Sequence, residues 1–247
     1  MVPATEAGSR SARRGRTPAR NRHEIAGAAV GIADRDGLGA VTMRSVAQAL
    51  GTGAASLYRY VSTRDELLAL MVDEVGGELD LHGQDGRPWL EQMLDLAGDV
   101  RSLYRRHPWM LEVSGAALAP GPNGIAYLEH ALSILARTPV DGGTRLEAVA
   151  VFDGLVRILC RQEHETRRTD ETPAAPRALS DQLSAVASST GSYPHLAAAL
   201  ADSGPPDDPF DRVLRRVLIG LLDARASASP RRSRTRSSST STPGSGT

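Results

Sequence analysis

The side chains best suited to chemistry in this chain are Tyr58, Arg59 and Tyr60, which occupy three consecutive positions. At 100° per residue, the apolar Leu57 and Val61 fall on one side of a helix and Arg59 falls opposite them. An arginine can form two hydrogen bonds with the edge of a guanine, and tyrosine hydroxyls reach phosphates or bases. The spacing therefore indicates a nucleic-acid surface on which Arg59 reads a base directly.

Two smaller residues, Ala55 and Ser56, flank Arg59 on the same predicted side. An alanine methyl can pack on a thymine methyl. Taken one at a time, these residues have ordinary interpretations, because an exposed arginine is usually only solvated and Tyr58 or Tyr60 can be the edge of a core. Their coincidence with a tight turn, short helices and local positive charge favours the functional interpretation.

The elements that would position this surface are two short helices joined by the turn Gly51-Thr52-Gly53. Thr42 is expected to cap the first of them, whose inward residues are Val46, Ala47 and Leu50. A preceding helix is predicted over 22–35, with Gly37 as its C-cap. Three helices around one small core, with the last one exposed, predict a helix-turn-helix in which one helix braces and the other enters a DNA major groove.

Further contacts with DNA are expected at the starts of the neighbouring helices. Arg44 lies in the first turn of the bracing helix and can reach a phosphate or a base edge, with Thr42 and Ser45 as lesser candidates. The capping box Thr63-Arg64-Asp65-Glu66 predicts that a connector helix starts there. Arg64 would meet a phosphate together with the free amides of that helix.

The charge is unevenly distributed, although the whole chain has no net charge. Residues 1–64 contain ten arginines and four acidic residues, whereas residues 65–222 contain fourteen arginines and twenty-four acidic residues. The remaining residues carry five arginines and one aspartate. A basic N-terminal part on an acidic remainder is expected if only the first part touches phosphates.

Several classes of protein are disfavoured by what the chain lacks. A single cysteine, Cys160, allows neither a disulfide framework within the chain nor a multi-cysteine zinc site. His164-Glu165 lacks the second histidine of a zinc protease motif, and there is no glycine-rich phosphate loop or nucleophile elbow. No segment fits a signal peptide or a membrane span. We therefore expect a cytoplasmic protein without catalytic residues, metal or cofactor.

The rest of the chain has helical periodicity, and no run of alternating β-branched residues argues for a strand. The fold class is therefore predicted to be all-α. Six more helices are predicted, over Trp89–Arg106, Pro108–Leu118, Asn123–Ala136, Gly143–Arg168, Pro176–Ser188 and Phe210–Arg225. Low-complexity composition predicts disorder in residues 1–20 and 227–247.

Four motifs carry a family resemblance: Thr42-Met43-Arg44-Ser45-Val46-Ala47, Leu50-Gly51, Ser56-Leu57-Tyr58-Arg59-Tyr60-Val61 and Arg64-Asp65-Glu66-Leu67-Leu68. On these residues, the segment 20–75 resembles the DNA-binding part of the tetracycline-repressor (TetR) family. The positions that commonly meet DNA in that family are here Arg44, Ser56, Tyr58, Tyr60 and Arg64. The chain departs from the family at Gly53-Ala54-Ala55, where members often carry bulkier polar or proline-containing residues.

A looser resemblance covers the larger domain. Arg105-Arg106-His107-Pro108-Trp109-Met110-Leu111-Glu112, followed by Gly121-Pro122-Asn123, is similar to the tetracycline-repressor-like C-terminal class. This resemblance implies a homodimer with an effector cavity in each subunit, where a ligand changes the spacing of the two DNA-binding parts.

The residues themselves support part of this implication. The helices near 146–161 and 210–225 are apolar over broad faces, and Gly220 permits a close approach. We expect them to pair with their symmetry mates as a four-helix interface, which suits a palindromic operator. The alternative is that they only close the core of one monomer.

A small apolar effector would need apolar walls and a few polar groups. Seven residues of the larger domain could supply them: Tyr104, His107, Trp109, Met110, Asn123, Tyr127 and Phe152. Each of them also has an ordinary interpretation as core, cap or surface.

The predicted domains are a basic arm over 1–20, a helix-turn-helix domain over 21–66, an effector-binding and dimerisation domain over 67–226 and a basic tail over 227–247. The predicted function is that of a homodimeric repressor, which a small molecule releases from double-stranded DNA. The alternative is a helical DNA-binding or architectural protein that responds to no small effector, or one that is controlled by a protein partner.

Overall fold

The computed structural model describes residues 22–81, 86–114, 119–170, 193–201 and 209–223. Every regular element in these ranges is a helix or a helical turn, and none is a strand, so the predicted all-α class is confirmed there. No helix among the same residues has an apolar stretch long enough to cross a membrane. The chain divides into an N-terminal unit, residues 1–80 with 106–125, and a C-terminal unit, residues 81–105 with 126–247.

Within the described residues, the N-terminal unit contains four complete helices, a 3₁₀ turn at Leu38–Ala40 and a second 3₁₀ turn at Pro108–Leu111. The helices are α1 (Arg22–Asp36), α2 (Met43–Ala49), α3 (Ala54–Leu57) and α4 (Arg64–Gly76). The first helix packs against α2 and α4, and α2 packs against α3. Their shared core is made of fully buried side chains, namely Ile25, Ala29, Val46, Leu57, Val61, Leu67 and Met71. The predicted small core of three helices is therefore extended by α4.

Two threonines begin helices as the sequence predicts. The Thr42 hydroxyl accepts from the Ser45 amide at 3.0 Å, and the Ser45 hydroxyl accepts from the Thr42 amide at 2.9 Å. The Thr63 hydroxyl accepts from the Glu66 amide at 3.1 Å. The return bond of this second cap differs from the expected capping box, because Glu66 accepts from the amide of Ser62 rather than that of Thr63.

Two glycines end helices in backbone conformations that suit a residue without a side chain. Gly37 has φ 82° and donates to the Ala33 carbonyl at 2.9 Å, as predicted for the end of α1. Gly51 has φ 63° and begins the turn between α2 and α3. A residue with a Cβ would be strained at either position.

The C-terminal unit contains the longer helices, which are α5 (Trp89–Arg106), α6 (Pro122–Leu135), α7 (Gly142–Asp170), α8 (Pro194–Ala201) and α9 (Pro209–Leu222). The last residue of α5 and the first four of α6 belong to the N-terminal unit. α9 packs on α7 and buries one stripe of side chains, namely Phe210, Leu214, Leu218 and Leu222.

The helix predicted over Pro108–Leu118 is wrong. A short 3₁₀ turn over Pro108–Leu111 takes its place, and Val113 and Ser114 are not helical. The turn buries three consecutive side chains, Trp109, Met110 and Leu111, which an α-helix with one buried face would not do. Tertiary contacts of these side chains override the local periodicity. The predicted helix over Pro176–Ser188 and the two predicted disordered ends lie outside the described residues.

Candidate nucleic-acid interface

The exposed side of α3 continues into the turn that follows it. α3 ends at Leu57, and the next residues form a turn in which the Val61 amide still donates to the Leu57 carbonyl at 3.0 Å. Leu57 and Val61 are fully buried, whereas Tyr58 and Arg59 are exposed. The structure thus brings the predicted aromatic and basic side chains to the surface beside the anchoring apolar pair.

The other residues predicted on α3 divide by exposure. Ala55 is exposed, whereas Ser56 and Tyr60 are half-buried. The Ser56 hydroxyl donates to the Gly53 carbonyl at 2.7 Å, and it also lies 2.7 Å from the Thr52 hydroxyl. Ser56 therefore holds the turn between α2 and α3 in shape.

Two exposed arginines, Arg44 and Arg59, are the best candidates for contacts with DNA. Neither has a hydrogen-bond or ion-pair partner among the residues that the structure describes. Both guanidinium groups can therefore reach phosphates or base edges without breaking a contact within the chain. Thr42 and Ser45, by contrast, use their side chains to cap α2, and the Ser45 hydroxyl also donates to the Ala40 carbonyl at 2.8 Å.

Arg64 has a structural role that the sequence did not indicate. Its guanidinium donates to the carbonyl of Val41 at 2.9 Å and to that of Leu38 at 3.3 Å. These bonds hold the first turn of α4 against the segment that leads into α2. An arginine has five N–H donors, so others remain for a phosphate.

Arg22 was missed as a positioning residue. Its guanidinium donates to the Tyr60 carbonyl at 3.0 Å and to Glu66 at 2.8 Å. The hydrogen bond from the Ser62 amide, together with that from Arg22, lowers the pKa of Glu66 below its ordinary value. This network fixes the end of the turn after α3 relative to α4. No local sequence pattern relates Arg22 to Tyr60, because they are 38 positions apart.

Asp34 organises a second polar cluster of the N-terminal unit. Its Oδ1 accepts from the Trp109 indole at 2.7 Å and lies 2.8 Å from His107 Nδ1. His107 Nε2 lies 3.1 Å from Glu78, which also accepts from Arg106 at 3.0 Å. Desolvation alone would raise the pKa of Glu78, but the hydrogen bonds from Arg106 and His107 lower it on balance.

Asp73 caps the start of α6. Its Oδ1 accepts from the amides of Asn123 and Gly124, each at 3.0 Å, and the Asn123 side chain donates to the Asp73 carbonyl at 2.9 Å. A Cβ at Gly121 would overlap the Asp73 carboxyl group. Four of the seven predicted effector residues thus belong to the N-terminal unit, where Met110 is buried and His107, Trp109 and Asn123 bond to its aspartates.

The other three predicted effector residues, Tyr104, Tyr127 and Phe152, belong to the C-terminal unit. Phe152 is fully buried in its core. The Tyr127 hydroxyl donates to the Asp153 carboxylate at 2.6 Å. Tyr104 lies near enough to Arg157 and Asp153 for their charges to act on its hydroxyl. We call the four polar residues, Tyr104, Tyr127, Asp153 and Arg157, the Tyr–Asp cluster.

Burial shapes the titration of this cluster. Desolvation raises the pKa of Asp153 to about 6, although the hydrogen bond from Tyr127 opposes it. Desolvation also raises the pKa of Tyr104 and that of Tyr127. The Asp153 side chain is nevertheless exposed to solvent.

Two further observations concern reactive groups. Burial raises the pKa of Cys160 to about 11, so that its side chain is a thiol at neutral pH. Within the described part of the chain, no three histidine, cysteine or acidic side chains come together as metal ligands would.

An apolar surface remains open on α7 and α9. Val151 and Ile158 of α7 are 43% and 56% exposed, and Ile219 of α9 is 46% exposed. Val151 and Ile158 are seven positions apart, so they lie on the same side of α7, which is not the side that holds Asp153. Gly220 has no neighbour within 4 Å of the place where a Cβ would be.

Comparisons with known proteins agree with this architecture. Residues 25–71 match the family described as "Bacterial regulatory proteins, tetR family", and residues 82–225 match the "Tetracyclin repressor-like, C-terminal domain". The chain is 38% identical over 218 residues to the HTH-type transcriptional repressor DrrR1 of Streptomyces coeruleorubidus, covering 84% of this chain and 79% of that protein. It is 31% identical over 205 residues to an HTH-type transcriptional regulator of Saccharopolyspora erythraea, covering 83% and 85% of the two chains.

A solved structure shows the same fold. The crystal structure of the Streptomyces coelicolor TetR family protein ActR in complex with actinorhodin aligns with a TM-score of 0.67 at 27% identity, covering 84% of this chain and 98% of that chain. Family models match both parts of the chain, and one relative is more than 30% identical over most of its length. These findings agree with the helix-turn-helix geometry. The chain therefore belongs to the tetR family of bacterial regulatory proteins.

Proposed function

We propose that this protein is a transcriptional repressor that binds operator DNA as a homodimer and is released by a small-molecule effector. The proposal depends on the exposure of Tyr58 and Arg59 on the helix-turn-helix. Among the described residues, Arg59 has no hydrogen-bond or ion-pair partner. The repressor activity of DrrR1, a relative at 38% identity, supports repression rather than activation.

The DNA-binding role of each residue follows from its surroundings. Arg59 reads a base edge in the major groove, with Tyr58 and Ala55 beside it. Arg44, exposed on α2, contacts the phosphate backbone or a base edge next to it. Arg64 and the amides at the start of α4 meet a phosphate. Thr42, Ser45, Ser56 and Tyr60 act mainly by holding α2, α3 and the following turn in place.

The homodimer is supported by the open apolar surface of α7 and α9. Exposed Val151 and Ile158 lie on the side of α7 opposite its buried residues, and α9 packs on this helix. An exposed apolar patch of this kind on a folded chain marks an interaction site. A second copy suits it, because a two-fold contact of the same surface also matches a palindromic operator.

Effector binding is supported by the Tyr–Asp cluster. It brings two tyrosines, a carboxylate and a guanidinium together from α5, α6 and α7, and small-molecule sites use a few polar groups of this kind among apolar walls. ActR, a protein of the same fold, has been crystallised with (S)-DNPA and with actinorhodin. We include Tyr104, Tyr127 and Phe152 in the proposed site.

The experiment begins by capturing fragments of the source genome on the purified protein and sequencing them to identify the operator. Operator-bound protein is then titrated with a panel of small molecules, and release is followed by fluorescence anisotropy of the labelled DNA. We expect a sequence-specific complex that at least one compound dissociates. A specific complex that no compound affects would contradict the effector, and it would favour a regulator controlled by a protein partner. Absence of any specific complex would contradict the whole proposal.

A further inference from the structure

A recess of about 340 Å³ opens in the C-terminal unit between α5, α7 and the start of α9. The described residues that line it include none of the seven predicted effector residues and none of the Tyr–Asp cluster. Its apolar wall consists of Leu159, Pro209 and Phe210. The volume is within the range that small-molecule sites have, so the recess is a separate candidate site.

Two arginines share one oxygen of Glu163 beside this recess. Arg167 Nη2 lies 2.6 Å from Oε1 of that carboxylate, and Arg105 donates to the same Oε1 through Nε at 2.9 Å and Nη2 at 2.6 Å. Among the described residues, Glu163 is the single partner of both arginines. Two positive groups on one negative group leave a positive charge that the described residues do not balance.

The second oxygen of Glu163 is also in use. Arg101 Nε donates to Oε2 at 2.7 Å. Burial alone would raise the pKa of Glu163, but the hydrogen bonds from Arg101 and Arg105 lower it on balance. Glu163 is therefore a carboxylate at neutral pH, shared among three arginines. Because it cannot neutralise Arg167 fully, a further anion next to Arg167 would gain a charge-assisted hydrogen bond.

The remaining lining suits an anion that carries a ring. The guanidinium carbon of Arg101 lies 4.5 Å from the centroid of the Phe210 ring, which is buried, and this contact holds Arg101 in place. Gln162 and Thr166 also line the recess, and their exposed side chains have no hydrogen-bond partner among the described residues. A guanidinium matches the planar geometry of a carboxylate, and an apolar wall beside it suits a flat apolar body.

We propose that this recess binds a small aromatic carboxylate, whose charged group pairs with Arg167 while its ring packs on Leu159 and Pro209. The proposal goes beyond the repressor activity, because it assigns the C-terminal unit a ligand site apart from the Tyr–Asp cluster. Binding at this site does not depend on operator DNA.

The test compares 2-naphthoate with 2-naphthamide, which has the same rings and no charge. Their binding to the full chain is measured by isothermal titration calorimetry at pH 7.5 without DNA. We expect 2-naphthoate to bind more tightly than the amide, and Arg167→Gln to weaken its binding roughly tenfold, because a charge-assisted contact is lost. The control is Arg168→Gln, which removes the charge of the next residue on α7. Arg168 does not line the recess, so the affinity should change less than about twofold.

A second variant separates a ligand site from an ion-pair cluster that only stabilises the fold. Glu163→Gln removes the anion that competes with the ligand for Arg167, so it should tighten 2-naphthoate binding by about threefold or more. Circular dichroism of each variant checks that the helices are intact. Because the Arg167 side chain is 57% exposed, Arg167→Gln should keep the fold even if Glu163→Gln loses stability.

Four results would overturn the inference. They are equal affinities for 2-naphthoate and 2-naphthamide, an affinity for 2-naphthoate that is the same in wild type and Arg167→Gln, an equal loss in Arg168→Gln, and weaker binding to a folded Glu163→Gln. Absence of any 2-naphthoate binding to the wild type would contradict it as well.

Discussion

Arg59 and Asp34 are both charged residues of the N-terminal unit, but their surroundings give them opposite roles. Arg59 is exposed without a partner among the described residues, so its guanidinium is available to another molecule. Asp34 is held between the Trp109 indole and the His107 ring, and it therefore stabilises the fold. The difference lies in the hydrogen bonds that each charge makes rather than in the charge itself.

Replacing Arg59 with alanine should weaken operator binding by about 1–3 kcal/mol and relax the preference at one base pair, because a base-edge contact is lost. Fluorescence anisotropy with a series of operators changed at single base pairs measures both effects. Arg35→Ala is the control, since it removes the same charge from an exposed residue that pairs with its neighbour Asp36. A uniform loss on every sequence would instead identify Arg59 as a phosphate contact.

Replacing Asp34 with alanine should lower the free energy of unfolding by about 1–3 kcal/mol, because the buried Trp109 indole and His107 ring lose their acceptor. Urea denaturation followed by tryptophan fluorescence measures this change. Asp36→Ala is the matched control, because Asp36 is an exposed residue whose carboxylate pairs with the adjacent Arg35. Equal stability of the two variants would show that the Asp34 cluster contributes nothing.

Replacing Asp153 with asparagine should raise the stability of the free protein at pH 7.5, because the native state raises the pKa of this carboxyl group to about 6. Between the unfolded pKa, about 4, and the folded pKa, the unfolded wild type ionises first, so its stability falls as the pH rises. The advantage of Asp153→Asn should therefore be small at pH 4, grow up to pH 6 and stay constant above it. Urea denaturation at pH 4.5, 6 and 7.5 gives the comparison, and an advantage that does not change with pH would contradict this mechanism.

At the scale of elements, helix ends were predictable where their contacts are local. The caps of Thr42 and Thr63 join residues three positions apart, so the sequence shows both partners at once. The segment after Pro108 was not predictable, because its 3₁₀ turn buries Trp109 against Asp34, 75 positions away. Local periodicity contains no information about such a partner.

In the candidate site, too, local contacts were predictable from the sequence and contacts between distant residues were not. Tyr58 and Arg59 could be assigned to an exposed surface because their exposure follows from the burial of Leu57 within the same turn. The contact of Asp153 with Tyr127 could not be predicted, since this hydrogen bond joins two helices. The interpretation of His107 and Trp109 as effector residues missed their bonds to Asp34 for the same reason.

The start of α6 depends on the space that Gly121 leaves for Asp73. A Cβ at this position would overlap the carboxyl group that caps α6, so Gly121→Ala should lower the free energy of unfolding by about 1–3 kcal/mol. Gly98→Ala in α5 is the control. It meets no neighbour within 4 Å and should stabilise the protein by about 0.5–1 kcal/mol, because alanine favours a helix interior. Thermal and urea denaturation give both values, and equal effects would show that the cap is dispensable.

At the scale of the whole molecule, the positive and negative charges are concentrated in different parts of the sequence. Residues 1–64 have a net charge of +6 and include the surface around Arg59, whereas residues 65–222 have a net charge of −10 and include the Tyr–Asp cluster. A positive N-terminal part attracts the phosphates of DNA. A negative remainder repels them, which limits non-specific wrapping of DNA around it. The open apolar side of α7 is the surface that we propose pairs two copies.

Replacing Ile158 with aspartate should convert the protein to a monomer, because a charge is placed on the apolar surface proposed to pair with a second copy. Sedimentation velocity measures the oligomeric state, and operator affinity should fall with it. The control is Ile125→Asp, since Ile125 is likewise exposed, at 58%, but belongs to α6 rather than to α7 or α9. A dimer that survives Ile158→Asp would place the interface elsewhere.

A footprint of the wild-type protein on a fragment it selects from its own genome, with the mass of the complex measured on the same fragment, tests the central claim most directly. The account predicts two protomers on an inverted repeat, with half-sites centred about one DNA helical turn or a multiple of it apart. For the Arg59→Ala variant, it predicts that protection is lost first at one base pair of each half-site. A single protomer on an asymmetric site, or no protected sequence at low salt, would contradict it.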